Sequence, residues 1–295
     1  MLGVFFLVTG AWVMGRWIAD GGLRLRIEGL SELSASRQAA LWVAQGVVAL
    51  TVVVAVVWAV RQCRRERRLT FDAALCLGYM SQFWLDPLIG FRHRTWLYDA
   101  AMVHTSSWGP YIPGWTSPHQ DQQVEPLFFG WSGYFSGVAW IFLIGIVMKR
   151  IIRRLWPRLR GARFALTVLG VAVLIDLPIE LFYIYSGAFS ISGGWPPLTL
   201  FSGHWYQLPL NYVAFIGIFW AGLPYLVRHY HIENGPDTTI LRGIQRVPEH
   251  RRTLVQTLAV IGFLNLCVVA FCLCFWLSGL AGGEAPAGSL PYPFR

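Results

Sequence analysis

"ALTVLGVAVLIDLPIELFYIYSG", residues 165–187, is long and apolar enough to cross a bilayer, yet it carries Asp176 and Glu180. A helical crossing of a hydrocarbon core takes about 20 apolar residues. An acid within such a segment is costly, by about 3 kcal/mol or more at mid-depth, and so faces a protein interior or an aqueous cavity. The i,i+4 spacing sets both acids on one helix face, where the chemistry is expected. Pro178, between them, is expected to kink the helix and free a backbone carbonyl.

The rest of the chain fits a membrane protein. Of its 295 residues, 55% are hydrophobic and only 13% charged, against about 25% in soluble domains. The mean hydropathy is +0.49. Apolar windows place spans near residues 2–19, 39–60, 71–91, 127–148, 164–187, 209–228 and 253–279. The first, "LGVFFLVTGAWVMGRWI", reads as a span and not a cleavable leader, having no basic flank before it. The expected fold is all-α, a polytopic bundle of about seven transmembrane helices. Residues 1–280 form one transmembrane domain, and 281–295 a flexible tail.

Charge supplies the orientation. The 61–69 loop holds five Arg, 149–163 seven basic residues and 228–252 five Arg, whereas 188–208 has none. By the positive-inside rule the protein is a multi-pass protein of the cell membrane, its N-terminus cytoplasmic and its C-terminus outside. The net charge of +9 lies in these loops, which suits lipid headgroups and speaks against nucleic acid. The cysteines, Cys63, Cys76, Cys267, Cys272 and Cys274, show no metal-ligand spacing, so no metal is expected.

Two outer loops are long and rich in Gly, Pro and aromatics: "HTSSWGPYIPGWTSPHQDQQVEPLFFGW" (104–131) and "SGAFSISGGWPPLTLFSGHWYQLPLNY" (186–212). Loops of that length are often lids or binding loops, and these are expected to fold over the outer mouth of the bundle. Asp86 sits in "FWLDPLIG", where Pro87 disfavours helical backbone at the acid and should stop or kink the third span. Asp86, Asp176 and Glu180 could then meet at similar depth as the catalytic group. A carboxylic acid in an apolar pocket keeps its proton and serves as a general acid on a lipophilic substrate. The bland alternative is a structural polar network, with the paired acids bonded to Asn211, Tyr183 or loop backbone.

Candidate substrate contacts are Trp84, Trp108, Trp115, Tyr183, His204, Tyr206, Asn211 and Glu125. No P-loop, GxGxxG, HExxH or ordered Ser-His-Asp pattern is present, so no cofactor is expected.

Several stretches resemble the AveC-like spirocyclase family of actinobacterial membrane proteins: "QFWLDPLIGF", "SSWGPYIPGWTSP", "VEPLFFGWSGY", "IDLPIELFYIYSGAFS", "LFSGHWYQLPLN" and "LRGIQRVPEHRRTLVQTLAVIGFLNL". They lie in order over residues 80 to 270. The resemblance implies a membrane-embedded cyclase that closes a dihydroxy-ketone into a spiroketal with loss of water, a lyase-like reaction. It maps Asp86, Asp176 and Glu180 onto the family's acids. The chain departs from the family pattern at Leu88–Ile89–Gly90, where an Asn follows the Asp-Pro pair, and near Asn211, where an acid often stands. Two alternatives remain open. One is a membrane terpene cyclase, an isomerase that protonates an alkene or epoxide of a prenylated substrate and shields the carbocation with aromatic faces, which the 15 Trp residues suit. The other is a transporter or lipid-binding accessory protein.

Overall fold

The computed structural model describes residues 1–91, 95–117 and 123–281. Among the described residues six helices are long and apolar enough to cross a membrane: α1 (Leu2–Ala19), α2 (Ala35–Glu66), α4 (Gly133–Leu155), α5 (Gly161–Ser186), α6 (Leu210–Asn234) and α7 (Glu249–Ala281). A helix satisfies its own backbone groups, as hydrocarbon demands. The outward face of α2 shows the matching surface, with Val43, Leu50, Val53 and Val57 all exposed. The tail expected from residue 281 onward lies outside the described residues, except for Ala281 at the end of α7.

The third expected span is not one long helix. It begins as α3 (Phe71–Met80), ten residues and about 15 Å, against a hydrocarbon thickness of about 30 Å. The Thr70 hydroxyl caps it by accepting from the Ala73 N–H. The chain turns at Ser81 and Gln82 and continues as a 3-10 segment, Phe83–Gly90, that contains Pro87. Proline has no N–H to donate and pushes the preceding Asp86 away from α-helical backbone. The broken connection leans on α7: Asn265 Nδ2 donates to Ser81 Oγ at 2.8 Å. By contrast, α5 runs unbroken through Pro178.

The basic turns gather at one end. Arg228 clamps Asp72 through two bonds of 2.6 and 2.8 Å, and Arg153 meets Glu233 at 3.3 Å. The long loops gather at the other. There β1 (Trp96–Tyr98) pairs antiparallel with β4 (Phe189–Ile191), so the two Gly/Pro-rich loops share one ladder. A second ladder joins β2 (His104–Ser106) to β3 (Val124–Pro126), and a third joins β5 (Thr199–Leu200) to β6 (Leu208–Pro209). The mostly helical fold therefore carries these short strands as well. Arg37, near the start of α2, reaches Asp99 at 3.2 Å and lies 4.7 Å over the Trp205 ring, adding a side-chain tie between the same loops.

Several tryptophans are used inside the protein. Trp17, Trp108, Trp131 and Phe83 form one aromatic knot with ring centroids 5.1–5.8 Å apart. Trp17 and Trp108 are almost completely buried. The knot joins α1, the 3-10 segment and the loop after β2.

Candidate active site

Asp86 is fixed from three directions. The 3-10 segment presents it inward, and it is 4% exposed. Its Oδ1 accepts from the Tyr134 hydroxyl at 2.8 Å and from the Tyr98 hydroxyl at 3.2 Å. Tyr134 comes from the start of α4 and Tyr98 from β1. The backbone that carries Asp86 is held by two buried indoles: Trp108 Nε1 donates to the Trp84 carbonyl at 2.9 Å, and Trp115 Nε1 to the Pro87 carbonyl at 2.8 Å. A buried indole N–H needs an acceptor, and these two find theirs on either side of the acid.

Glu125, on β3, faces Asp86. Its Oε1 accepts from Ser107 Oγ at 2.5 Å, and Oε2 has no other hydrogen-bond donor. The free oxygens of the two carboxyls meet over Gly130. A Cβ there would stand 3.1 Å from Glu125 Oε2 and 3.3 Å from Asp86 Oδ2. Burial raises the pKa of Asp86 above the ordinary carboxylate range, while Glu125 and the two tyrosine hydroxyls pull it partly back. Burial, and then the charge of Asp86, raise Glu125 well above its range. Burial thus favours a proton on both carboxyls, and the donors around Asp86 favour its ionised form more than those around Glu125 do.

Asp86 and Tyr98, with Ile89 and Trp96, form a wall between two cavities. On one side about 410 Å³ is lined by Glu125, Gln123, Pro87 and Gly90 among others. On the other about 580 Å³ is lined mainly by aromatics, Phe129, Tyr134, Trp140, Tyr183, Phe189 and Trp220 among them. Glu180 is the second acid on that larger cavity. It is buried, and its Oε2 has no hydrogen-bond partner.

Asp176 lies one turn earlier on α5 and is fully buried, with both carboxyl oxygens unpartnered. It does not line the larger cavity. It stands one turn past Ala172 and Val173, against whose backbone Gly217 of α6 packs so closely that a Cβ would lie 2.8 Å away. There α6 widens into a π-helical stretch, Ile216–Gly222. The Trp220 carbonyl within it accepts from the Tyr79 hydroxyl.

Of the residues singled out from sequence, Asp86, Glu180 and Tyr183 line the larger cavity, and Glu125 reaches Asp86 from the smaller one. Trp84, Trp108 and Trp115 do not line the larger cavity. Trp84 is buried at Gly10 of α1, and the other two are the braces just described. His204 and Tyr206 stack at 4.9 Å, with Tyr206 at 5.5 Å from exposed Tyr185, away from the acids. Asn211 lies in the first turn of α6 with its Oδ1 buried and unpartnered. Tyr98 and Tyr134 were not anticipated. Tyr134 ends the quoted stretch "VEPLFFGWSGY", which could have flagged it; Tyr98 carries no such signal. Among the described residues no cluster of three or more His, Cys, Asp or Glu has the grouping of a metal site.

The family described as "Spirocyclase AveC-like" matches residues 66–295. No curated protein and no solved structure matches the chain.

Proposed function

The chain belongs to the AveC-like spirocyclase family, and on that premise we propose that it is a membrane-embedded cyclase closing rings on a lipophilic natural-product intermediate by acid–base catalysis. One observation carries the reading: two acids in different settings, Asp86 hydrogen-bonded by tyrosines and Glu180 unpartnered, line a single aromatic cavity. Paired titratable groups with unlike surroundings divide into acid and base.

The preferred reaction is spiroketal formation from a dihydroxy-ketone. Glu180 protonates the carbonyl oxygen, and one substrate hydroxyl attacks the carbon while its proton passes to Asp86. The hemiketal hydroxyl then takes a proton and leaves as water. The second hydroxyl attacks the resulting oxocarbenium ion and releases its proton to the base. Two protons are given and two returned, with net loss of one water. Aromatic faces stabilise the cationic intermediate, and the wall shared with the Glu125 cavity gives Asp86 a partner to pass protons to. The scheme needs neither metal nor organic cofactor.

The density of aromatic faces around Glu180 also favours a second reading, protonation of an alkene or epoxide by the same acid followed by carbocation cyclisation. Both readings place the protein in the cell membrane as one multi-pass domain over residues 1–280. Its basic end faces the cytoplasm with the N-terminus, and the roofed end faces outward with the C-terminus.

The test is metabolite mass spectrometry of the producing strain with and without the gene, complemented by wild type or Glu180→Gln. A precursor one water heavier than the product supports spiroketal formation. A precursor of equal mass supports terpene-type cyclisation. Unchanged products merely redistributed between cells and medium would reject a cyclase in favour of a transporter.

A further inference from the structure

A groove on the membrane-facing side of the bundle leads toward the larger cavity. It lies between α2 and α4, encloses about 1070 Å³, and is lined by Leu50, Thr51, Val54, Val138, Ala139 and Leu143 among others. Its foot is closed by Trp58 and Phe142, which meet edge to face at 4.7 Å, with the Arg228 guanidinium 4.9 Å over the Phe142 ring. Its head adjoins the cavity. Val48 of α2 lines the cavity, and Leu50 and Thr51 line the groove. On α4, Ser136 and Trp140 line the cavity, and Ala139 and Leu143 line the groove. Residues three and four apart on a helix are neighbours on its surface, so Val48 and Thr51, and Ser136 and Ala139, stack directly. From Leu50 to Trp58 the groove runs about 12 Å along α2.

We infer that this groove is the substrate's way in: an apolar chain partitioned in the bilayer slides between α2 and α4 and enters the cavity past Val48, Ser136 and Trp140. The occupant is the hydrocarbon portion of the substrate itself. The argument is continuity with the acid-bearing cavity, together with chemistry. Thr51 and Trp58 carry the only hydrogen-bonding side chains among the groove's lining residues; Trp58 stands at the foot, and the Thr51 hydroxyl is already engaged by the Val47 carbonyl of its own helix. Between its foot and its head the groove thus offers van der Waals contact, which suits a chain already dissolved in hydrocarbon. The roof, tied by the β1–β4 ladder and the Arg37–Asp99 pair, need not open for such a substrate.

The inference rests on the cavity being the reaction chamber, and its test does not depend on turnover. The protein is reconstituted in phosphatidylcholine vesicles containing a long-chain fatty acid with a terminal alkyl diazirine. After photolysis, adducts are mapped by mass spectrometry, alkyl diazirines having a known preference for carboxyl groups. Wild type should carry adducts on Glu180 or Asp86. Ala139→Trp, or Thr51→Trp if the first does not fold, should lower those adducts by roughly tenfold. Adducts on lipid-facing Leu166 should stay unchanged. Leu166→Phe, a bulky change away from the groove, should leave the cavity adducts as in wild type. Cavity adducts that persist in both groove variants would overturn the inference, and so would wild-type labelling confined to the outer surface. Labelling that follows the groove while the strain's metabolites do not change would leave the route standing and sink the cyclase reading instead.

Discussion

Removing the Tyr134 hydroxyl should change when Asp86 ionises. The bond is 2.8 Å long and ends on the same Oδ1 that Tyr98 reaches at 3.2 Å. A hydrogen bond to a charged group contributes about 1.5–3 kcal/mol, which corresponds to about one to two pH units. Tyr134→Phe deletes a donor that favours the ionised acid, so Asp86 must hold its proton to higher pH. The acid limb of activity, which needs ionised Asp86, should move upward by the same amount, with a smaller change in the plateau rate. Infrared titration of the purified protein reads the carboxyl bands directly, and subtraction of Asp86→Asn assigns them. Tyr98→Phe should displace the midpoint in the same direction but less, because its bond is longer. An Asp86 midpoint that stays put in Tyr134→Phe, or moves to lower pH, would refute the assignment of Asp86 as the ionised partner.

Glu180→Gln should lower product formation at least about tenfold while the protein still inserts; wild-type turnover would remove Glu180 from the reaction. Gly130→Ala should cost about 1–3 kcal/mol by pressing a methyl group onto both carboxyls, read as a lower melting temperature in detergent together with altered Asp86 and Glu125 titrations; an unchanged pair would mean the acids do not depend on their close approach. Asp99 is pushed up to about 6, chiefly by burial and against the opposing pull of the Ala101 N–H and Arg37. The folded protein binds that proton more tightly than the unfolded chain, so the stabilisation is complete below pH 3.8 and fades as pH rises through about 6. The difference amounts to about 3 kcal/mol at most. Hydrogen exchange at Ala101 and Met102, corrected for its intrinsic pH dependence, should show protection falling over that range; protection that grows would contradict it.

The membrane character was legible because a run of apolar residues long enough to span has few other uses. The burial of Asp86 and Glu180 was legible for the complementary reason, that an acid in such surroundings is costly unless it faces the protein interior. The α3 break was half legible. Asp86–Pro87 announces an irregular backbone, but the helix stops six residues earlier, at Met80, where the chain turns to lean on Asn265. What the sequence hid is pairing at long range. Tyr98 and Tyr134 lie 12 and 48 residues from the acid they serve; Tyr134 at least ends one of the quoted stretches, but nothing distinguishes Tyr98 from other aromatics in a chain 15% aromatic. The same limit turned Trp108 and Trp115 into apparent substrate contacts: sequence shows a large ring, while the fold decides whether its N–H faces a ligand or a carbonyl.

The two indole bonds also set an order of assembly. The long helices satisfy their own backbones and can insert one after another as they are made. Asp86 is different, because its backbone is gripped by Trp108 and Trp115 and its carboxyl is met by Tyr98 and Glu125, all from the stretch between α3 and α4. Until that stretch has folded back, an inserted bundle has helices but no competent acid pair. Maturation of the site is thus a late event governed by the segment outside the long helices, and a proteolytic nick there should silence the protein while leaving its helical content intact.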